Sequence, residues 1–469
     1  MTTAPEAQVA DPPVVLTVHP LQRAGAFALA ALAGQKHPEL VCEADLQRAV
    51  EIMHADLRLT TGLADAKAPG GFWLAASYLF WPNSALNPTS RGKLPVAERV
   101  ARLRSWRTLP GPEQTIGVPC VLCGRPACGF YGKVDVPLGA STAHRNTTAR
   151  GHEGLALCRG CLASFHALPY GCAITGGRAA VLHSWDERFL AATVAVQVHR
   201  MRQDAAVSAG RFGDKRPYAR QVAALCRIRG YEEELTAGVE LVVFSNSNKE
   251  QALDVHVMEQ PLAEWLRSIR YASRFGNGWR YLARAHHGAK VPGLSALARN
   301  LFDRPRRVVG VAAEYLLRHA GDTGMPPGET PDLRELCSDY VIKVLDMNET
   351  DADQIRCLAT GIATVVHEDS SQFKGFVAAY RKVSDLKRWL RRQAIAQVQF
   401  TRKPDPFVTE RQWRLLFDSD DDGFLSRDLL LIDTLAAVHQ LDPRWRSDDP
   451  SARSQSDGEL DEETEEQDA

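Results

Sequence analysis

Four cysteines in two Cys-x-x-Cys pairs, Cys120/Cys123 and Cys158/Cys161, have the types and spacing that bind a metal. Thiolates bind zinc tetrahedrally, and four of them complete its coordination sphere. Each short turn presents two sulfurs to one ion, and the 34 residues between the pairs can loop out. The spacing predicts a structural Zn2+ site. A closed four-thiolate site leaves no position for a reactive water. Reduced cysteines of a former metal site and a thiol redox pair are the alternatives. Cys128, Cys172, His152 or His166 could replace a ligand, although packing is the simpler role for the two cysteines. Cys42, Cys226, Cys337 and Cys357 are scattered and read as core. The enzymatic alternative is a zinc-clamped HNH-type nuclease, for which "AHRNTTARGHEG" supplies His144, Asn146 and His152. No Asp-His pair precedes the second cysteine pair as that chemistry needs.

A second kind of chemistry resides in arginine. From Trp265 to Phe302 no acidic residue occurs, while Arg267, Arg270, Arg274, Arg280, Arg284, Lys290 and Arg299 do. Tyr271, Phe275, Trp279 and Tyr281 interleave with them. Guanidinium forks pair with phosphate and aromatic rings stack on bases, so the segment predicts nucleic-acid contact. "RPRR" at 304–307 extends it. Further on, Lys387, Arg388, Arg391 and Arg392 surround a single Asp385 and predict either phosphate contact or a solvated helix face. In "YLFWPNSALNPTSRGK", Asn83, Asn87 and Arg91 could reach base edges, or the asparagines could cap turns. "DSDDDGFLSRDL" imitates a calcium loop at Asp418, Asp420, Asp422 and Gly423. Its twelfth position is Leu429 instead of a glutamate, so a turn between helices is expected.

These groups must be positioned by a fold of class α+β. The 469 residues, 45% hydrophobic, suffice for several domains and a large core. Leu46, Val50, Met53 and Leu57 recur at helical spacing, which predicts helices across residues 17–60. "VELVVF", the turn "SNSN" and "ALDVHVM" predict a β-hairpin. "HAGDTGMPPGETP" reads as a domain boundary, with Thr330–Pro331 starting the next helix. Beyond it Ile355, Leu358, Ile362 and Val365 exemplify a helical spacing that continues to Leu435, and Thr409 with Gln412 forms a capping box. The expected organisation is a mixed N-terminal nucleic-acid-binding region, 14–324, with an inserted zinc-ribbon-like module at about 118–172. An all-α C-terminal helical bundle, 325–447, follows. The tail, 448–469, carries 10 acidic residues and one basic residue, net −9, leaving net +8 on the remainder. It has too few apolar residues to fold, so disorder is expected. With no apparent leader or membrane span and sparse cysteines, the chain reads as cytoplasmic.

In this order the features resemble the CXXC–CXXC family of CRISPR-associated proteins, the large subunit of type I-B Cascade. "TVHPLQRAGAFALAALAGQKHPELVCEADLQRAV" is similar to the family's N-terminal block, "LFWPNSALNPTSRGK" to its Pro-Asn-Ser loop, and "VELVVFSNSNKEQALDVHVME" to its central strand pair. The two cysteine pairs are the sharpest match. Gln22 and Arg23 stand where the family usually has an acid. The resemblance implies a noncatalytic subunit that partners a CRISPR RNA, target double-stranded DNA and other Cascade subunits. Such a subunit helps recognise the protospacer-adjacent motif, opens the duplex and docks a helicase-nuclease or transposition proteins. It also implies that the C-terminal part can be made separately as a small subunit, for which Met325 is a candidate start. A stand-alone zinc-ribbon regulator is the remaining alternative.

Overall fold

The computed structural model describes residues 12–63, 65–138, 154–207, 216–248, 251–322, 328–380, 382–401, 405–418, 423–443 and 445. The acidic tail, Met325, His144, Asn146, His152, Asp420 and Asp422 lie outside them. The chain forms two compact units, which divide between Glu264 and Trp265.

The first unit begins with helices α1 (Pro20–Ala33), α2 (Glu43–Arg58), α3 (Phe72–Phe80), α4 (Pro88–Arg91) and α5 (Val96–Arg107). The short strands β1 (Gly129–Tyr131) and β2 (Leu155–Leu157) pair antiparallel and lead into α6 (Arg159–Ala167). A four-stranded antiparallel sheet follows, in order β3 (Ala173–Thr175), β4 (Arg178–Ser184), β5 (Val239–Asn246), β6 (Gln251–Met258). Helices α7 (Glu187–Val207) and α8 (Ala219–Arg229) lie in sequence between β4 and β5. The predicted hairpin is β5–β6, in register from Val239↔Met258 to Asn246↔Gln251.

The first unit is built around α1. His19 caps its first turn, accepting from the Gln22 amide; Pro20 follows at the first helical position, and Gly34 ends the helix at φ 77°. Its buried residues, Leu21, Phe27 and Leu29 among them, join a core with Trp73, Phe165 and Phe244. Gln22 is fully buried and hydrogen-bonded throughout. Its Oε1 accepts from the Thr17 amide and hydroxyl, and its Nε2 donates to Val15 O and Ser164 Oγ. Arg23 donates to Glu187 Oε1 at 2.8 Å, and His37 lies 3.0 Å from Glu187 Oε2. The place where the family usually has an acid therefore carries a buried amide and a buried arginine that reaches a half-exposed glutamate.

Helix α9 (Gln260–Tyr271) crosses the division. The second unit continues with α10 (Gly276–Ala285), α11 (Gly293–Asp303), α12 (Arg307–Asp322) and α13 (Glu329–Lys343). Then come α14 (Glu349–Glu368), α15 (Ser370–Tyr380), α16 (Val383–Ala396), α17 (Glu410–Phe417) and α18 (Gly423–Leu441). Helix α18 is buried on nearly every side, which is how a helix without a polar stripe must sit. It packs against α12, α13, α14 and α17. The C-terminal bundle therefore starts well ahead of 325. Helices α12 and α13, which flank the glycine–proline stretch in sequence, both pack on α18. Helix α13 starts at Glu329, one residue ahead of the expected Thr330. A product starting at Met325 would lack α12 and uncover that side of α18.

One buried histidine makes this unit acid-sensitive. His286 ends α10, donates from Nδ1 to Leu282 O at 2.8 Å, and is held down to about 4 by burial. Between about pH 4 and its ordinary value of 6.5 the folded chain keeps it neutral while the unfolded chain protonates it. The unfolded state binds more protons there, so stability falls as pH drops through that window. The full shift corresponds to roughly 3 kcal/mol. Denaturant titrations at pH 7 and about pH 4.5 should show a smaller loss for His286→Leu than for the parent chain. Equal losses would remove His286 as a cause.

Candidate metal centre and nucleic-acid interface

The four predicted metal ligands converge. The sulfurs of Cys120, Cys123, Cys158 and Cys161 all lie within 4.8 Å of one another, and Cys123 Sγ is 3.4 Å from Cys158 Sγ. Thiolates at about 2.3 Å from a tetrahedral zinc stand somewhat under 4 Å apart, so this donor set fits a single ion. Among the described residues it is the only such cluster of cysteine, histidine and carboxylate groups.

Local structure explains the convergence. The first pair sits on a tight turn in which Gly124 N donates to Cys120 O and Cys120 N donates to Arg125 O, with Gly124 at φ 75°. The turn is tied to β2 by Val121 N donating to Ala156 O and Cys128 N to Leu157 O. β2 delivers Cys158 to the N-cap of α6, where its sulfur accepts from the Cys161 amide at 3.4 Å. A helix N-terminus favours thiolate. Four sulfurs this close cannot all be charged without a cation. Hydrogen bonds from Cys158 and Cys161 hold Cys120 far below the usual thiol range, and the bond to Cys120 pushes Cys161 far above it.

The neighbouring cysteines are packed. Cys128 Sγ is 3.3 Å from Leu157 O, and Cys172 Sγ 3.3 Å from Leu168 O. Burial raises both thiols. His166 is buried within α6 and held well below its usual range by burial. Cys337 is core as expected. Cys42, Cys226 and Cys357 are exposed instead: Cys42 caps the start of α2, and α8 and α14 turn the other two away from the core.

The arginine-rich segment 265–302 is less free than its composition suggests. Its missing acids come from α13. Arg284 pairs with Glu329, and Arg274 lies 3.4 Å from Glu335 and 3.9 Å from Asp339. Trp279 is 6% exposed and belongs to the core, so it has no ring face for a base. Arg267 lies over the exposed Tyr271, 5.8 Å from its centroid, and Arg280 donates to Asn277 Oδ1 at 2.8 Å. Arg270 and Lys290 are exposed.

Helix α16 keeps its cations outward. Leu386, Trp389 and Leu390 face the core, while Arg388, Arg391 and Arg392 are exposed and Lys387 is half-buried. Lys387 Nζ stands 5.0 Å from the Phe417 ring and Arg391 5.3 Å from the Trp413 ring. The two aromatics pack edge-to-face on α17. Arg388 has only a 3.5 Å surface contact with Asp385, an interaction worth little in water. Cations over half-buried rings form the interleaved surface that was expected of 265–302.

In the Pro-Asn-Ser loop, Asn87 is 1% exposed and builds the turn. Its Oδ1 accepts from the Ser84 amide and its Nδ2 donates to Ser77 Oγ at 2.6 Å. It is therefore not free to read a base. Asn83 is exposed at φ 65° and accepts from Asn248 Nδ2 at 3.0 Å. Arg91 ends α4, and its side chain lies outside the described residues. Asp428 does not face a calcium loop. It is on α18 and accepts from the Tyr380 hydroxyl, while Leu429 is buried.

One feature was missed at the sequence level. Arg107 ends α5, 3% exposed, in the corner formed by the edge-to-face rings of Trp106 (3.7 Å) and Trp81 (4.0 Å). Its guanidinium nitrogens have no hydrogen-bond partner among the described residues. Burial lowers its pKa to about 9, and nearby Asp135 partly opposes that. Asp135 accepts from Trp106 Nε1 and the Gly132 amide. This cluster joins the Pro-Asn-Ser loop, through Trp81, to the cysteine module, through Asp135. The signal was the order Trp106–Arg107 at a helix end, which without the fold names no partner.

The geometry thus defines a chain with four close cysteines that could hold a metal ion and a basic–aromatic helical face. Comparison with models of protein families, with curated proteins and with solved structures gave no match. Among the described residues no helix is long and apolar enough to cross a membrane.

Proposed function

We propose that this chain is a noncatalytic nucleic-acid-binding protein whose zinc is structural, and specifically the large subunit of a type I CRISPR RNA-guided complex. In that role it helps recognise the protospacer-adjacent motif, helps open target duplex DNA, and recruits an effector nuclease or transposition proteins. The α16–α17 face carries the nucleic-acid part of this reading. Its cations project away from the core, and two of them lie over aromatic rings. Such a face grips phosphate and stacks bases without needing sequence information. The assignment to CRISPR complexes rests on the resemblance of the cysteine pairs, the Pro-Asn-Ser loop and the strand pair. Four thiolates saturate a zinc ion, which supports a metal that folds and does not hydrolyse.

The test is Arg391→Glu with Arg392→Glu. Affinity for duplex DNA should fall by at least about tenfold near 100 mM salt, and the dependence of log affinity on log salt should become shallower. Parent-like binding at every salt concentration would dismiss this face. Copurification with the products of neighbouring genes should bring down a CRISPR RNA; a complex free of RNA would refute the CRISPR assignment.

A further inference from the structure

The same face has a second candidate ligand within the chain. Helix α16 and its first flanking residues carry Lys382, Lys387, Arg388, Arg391 and Arg392 against Asp385 alone among the described residues. No other stretch of the sequence is as acidic as residues 448–469, with net −9. The described part of the chain also ends in the right place. Trp445 is buried and packs edge-to-face on Phe373 of α15, centroids 4.7 Å apart. Helix α15 is the immediate neighbour of α16, tied to it by Gln393 Nε2 donating to Gln372 Oε1 at 2.9 Å. The tail therefore starts one helix away from the basic face. At about 3.3–3.6 Å per residue it can run the roughly 20 Å length of α16 with chain to spare.

We infer that the acidic tail, residues 448–469, docks on the α16–α17 face and competes there with nucleic-acid phosphate. This regulates the face assigned above, and so rests on that reading. A tethered tail is present at a local concentration of about millimolar, so weak ion pairing suffices to occupy the face. Weak nonspecific DNA contacts are screened out, while a ligand held by additional contacts elsewhere displaces the tail. The competition is electrostatic and fades as salt shortens the Debye length.

Three chains test this: the full chain, a chain lacking Asp448–Ala469, and a full-length chain with the tail's Asp and Glu changed to Asn and Gln. Binding of a random-sequence DNA duplex is measured by anisotropy between about 50 and 300 mM salt. Carbodiimide cross-linking of the full chain, without nucleic acid, is mapped by mass spectrometry. Both altered chains should bind roughly tenfold tighter at low salt, with the gap closing as salt rises. Lys382 or Lys387 should cross-link to tail carboxylates. Equal affinities in all three chains with no such cross-link overturn the tail's role and leave DNA binding intact. Cross-links from these lysines with no DNA binding by any chain refute the nucleic-acid reading while supporting tail docking. Cross-links confined to other lysines place the tail elsewhere and overturn the proposal.

Discussion

Cys158→Ser will release the metal and loosen the first unit far beyond the module itself. Cys158 is both one of the four sulfurs that could hold the ion and the N-cap of α6. The strands beside it are only three residues each, so the segment around the first cysteine pair has little pairing of its own. What fastens it is the four-sulfur cluster, the short β1–β2 ladder and a few backbone bonds, among them Val121 N to Ala156 O and Cys128 N to Leu157 O. Zinc sites of this type bind with an apparent 10–16 kcal/mol in small peptides. Even a fraction of that, several kcal/mol, is comparable with the stability of a whole domain. The loss propagates because α6 packs on α1, where Ser164 accepts from the buried Gln22. The purified parent chain should hold one zinc by elemental analysis, and Cys158→Ser none. Its melting temperature should fall by about 10 °C or more, consistent with several kcal/mol. Cleavage by a nonspecific protease should appear near Cys120. Cys128→Ser and Cys172→Ser should keep the metal, since both sulfurs pack against carbonyls. Full zinc content in Cys158→Ser would sink the assignment of the centre.

The cluster was readable because metal binding imposes its own short spacing. Two sulfurs two residues apart must share a turn whatever the surroundings. The β5–β6 hairpin was readable for a similar reason, since polar turn residues between an apolar run and an alternating one act locally. The Thr409–Gln412 capping box formed as expected, each side chain bonding the other's backbone. What escaped is what depends on distant sequence. Nothing in 265–302 announces that Glu329, Glu335 and Asp339 will lie along it, so a solitary basic run reads as more open than it is. The α16 face was underrated for the converse reason. Its cations were visible, but Trp413 and Phe417 approach them only through the packing of α17. The division at Glu264/Trp265 was hidden because it falls within a continuous helix, whose one proline, Pro261, marks the helix start and not the division. Arg107 was illegible because its corner of two rings is closed by residues distant in sequence, Trp81 and Asp135.

Gly25→Ala should destabilise the first unit, although alanine is the better helix former by about 1 kcal/mol. Gly25 lies within α1 where it crosses α6. A methyl group there would stand 2.1 Å from the Ser164 carbonyl oxygen and 2.7 Å from its carbon. Those atoms are backbone and cannot rotate away. Helix α6 cannot easily withdraw either, since Cys158 and Cys161 fix its first turn at the metal centre. The two helices must part, which weakens the Gln22–Ser164 hydrogen bond and the packing of Leu21, Leu162 and Phe165. Overpacking of this kind costs about 1–3 kcal/mol, and more when backbone moves. Gly361→Ala provides the opposite sign. It lies in the middle of α14 with only Phe407 nearby, at 3.9 Å, so the added methyl fits and propensity dominates. That variant should gain several tenths to about 1 kcal/mol. Denaturant midpoints for the two variants decide the matter. A stabilising Gly25→Ala would mean that α1 and α6 are not in backbone contact, and that loss of the metal should stay confined to the cysteine module.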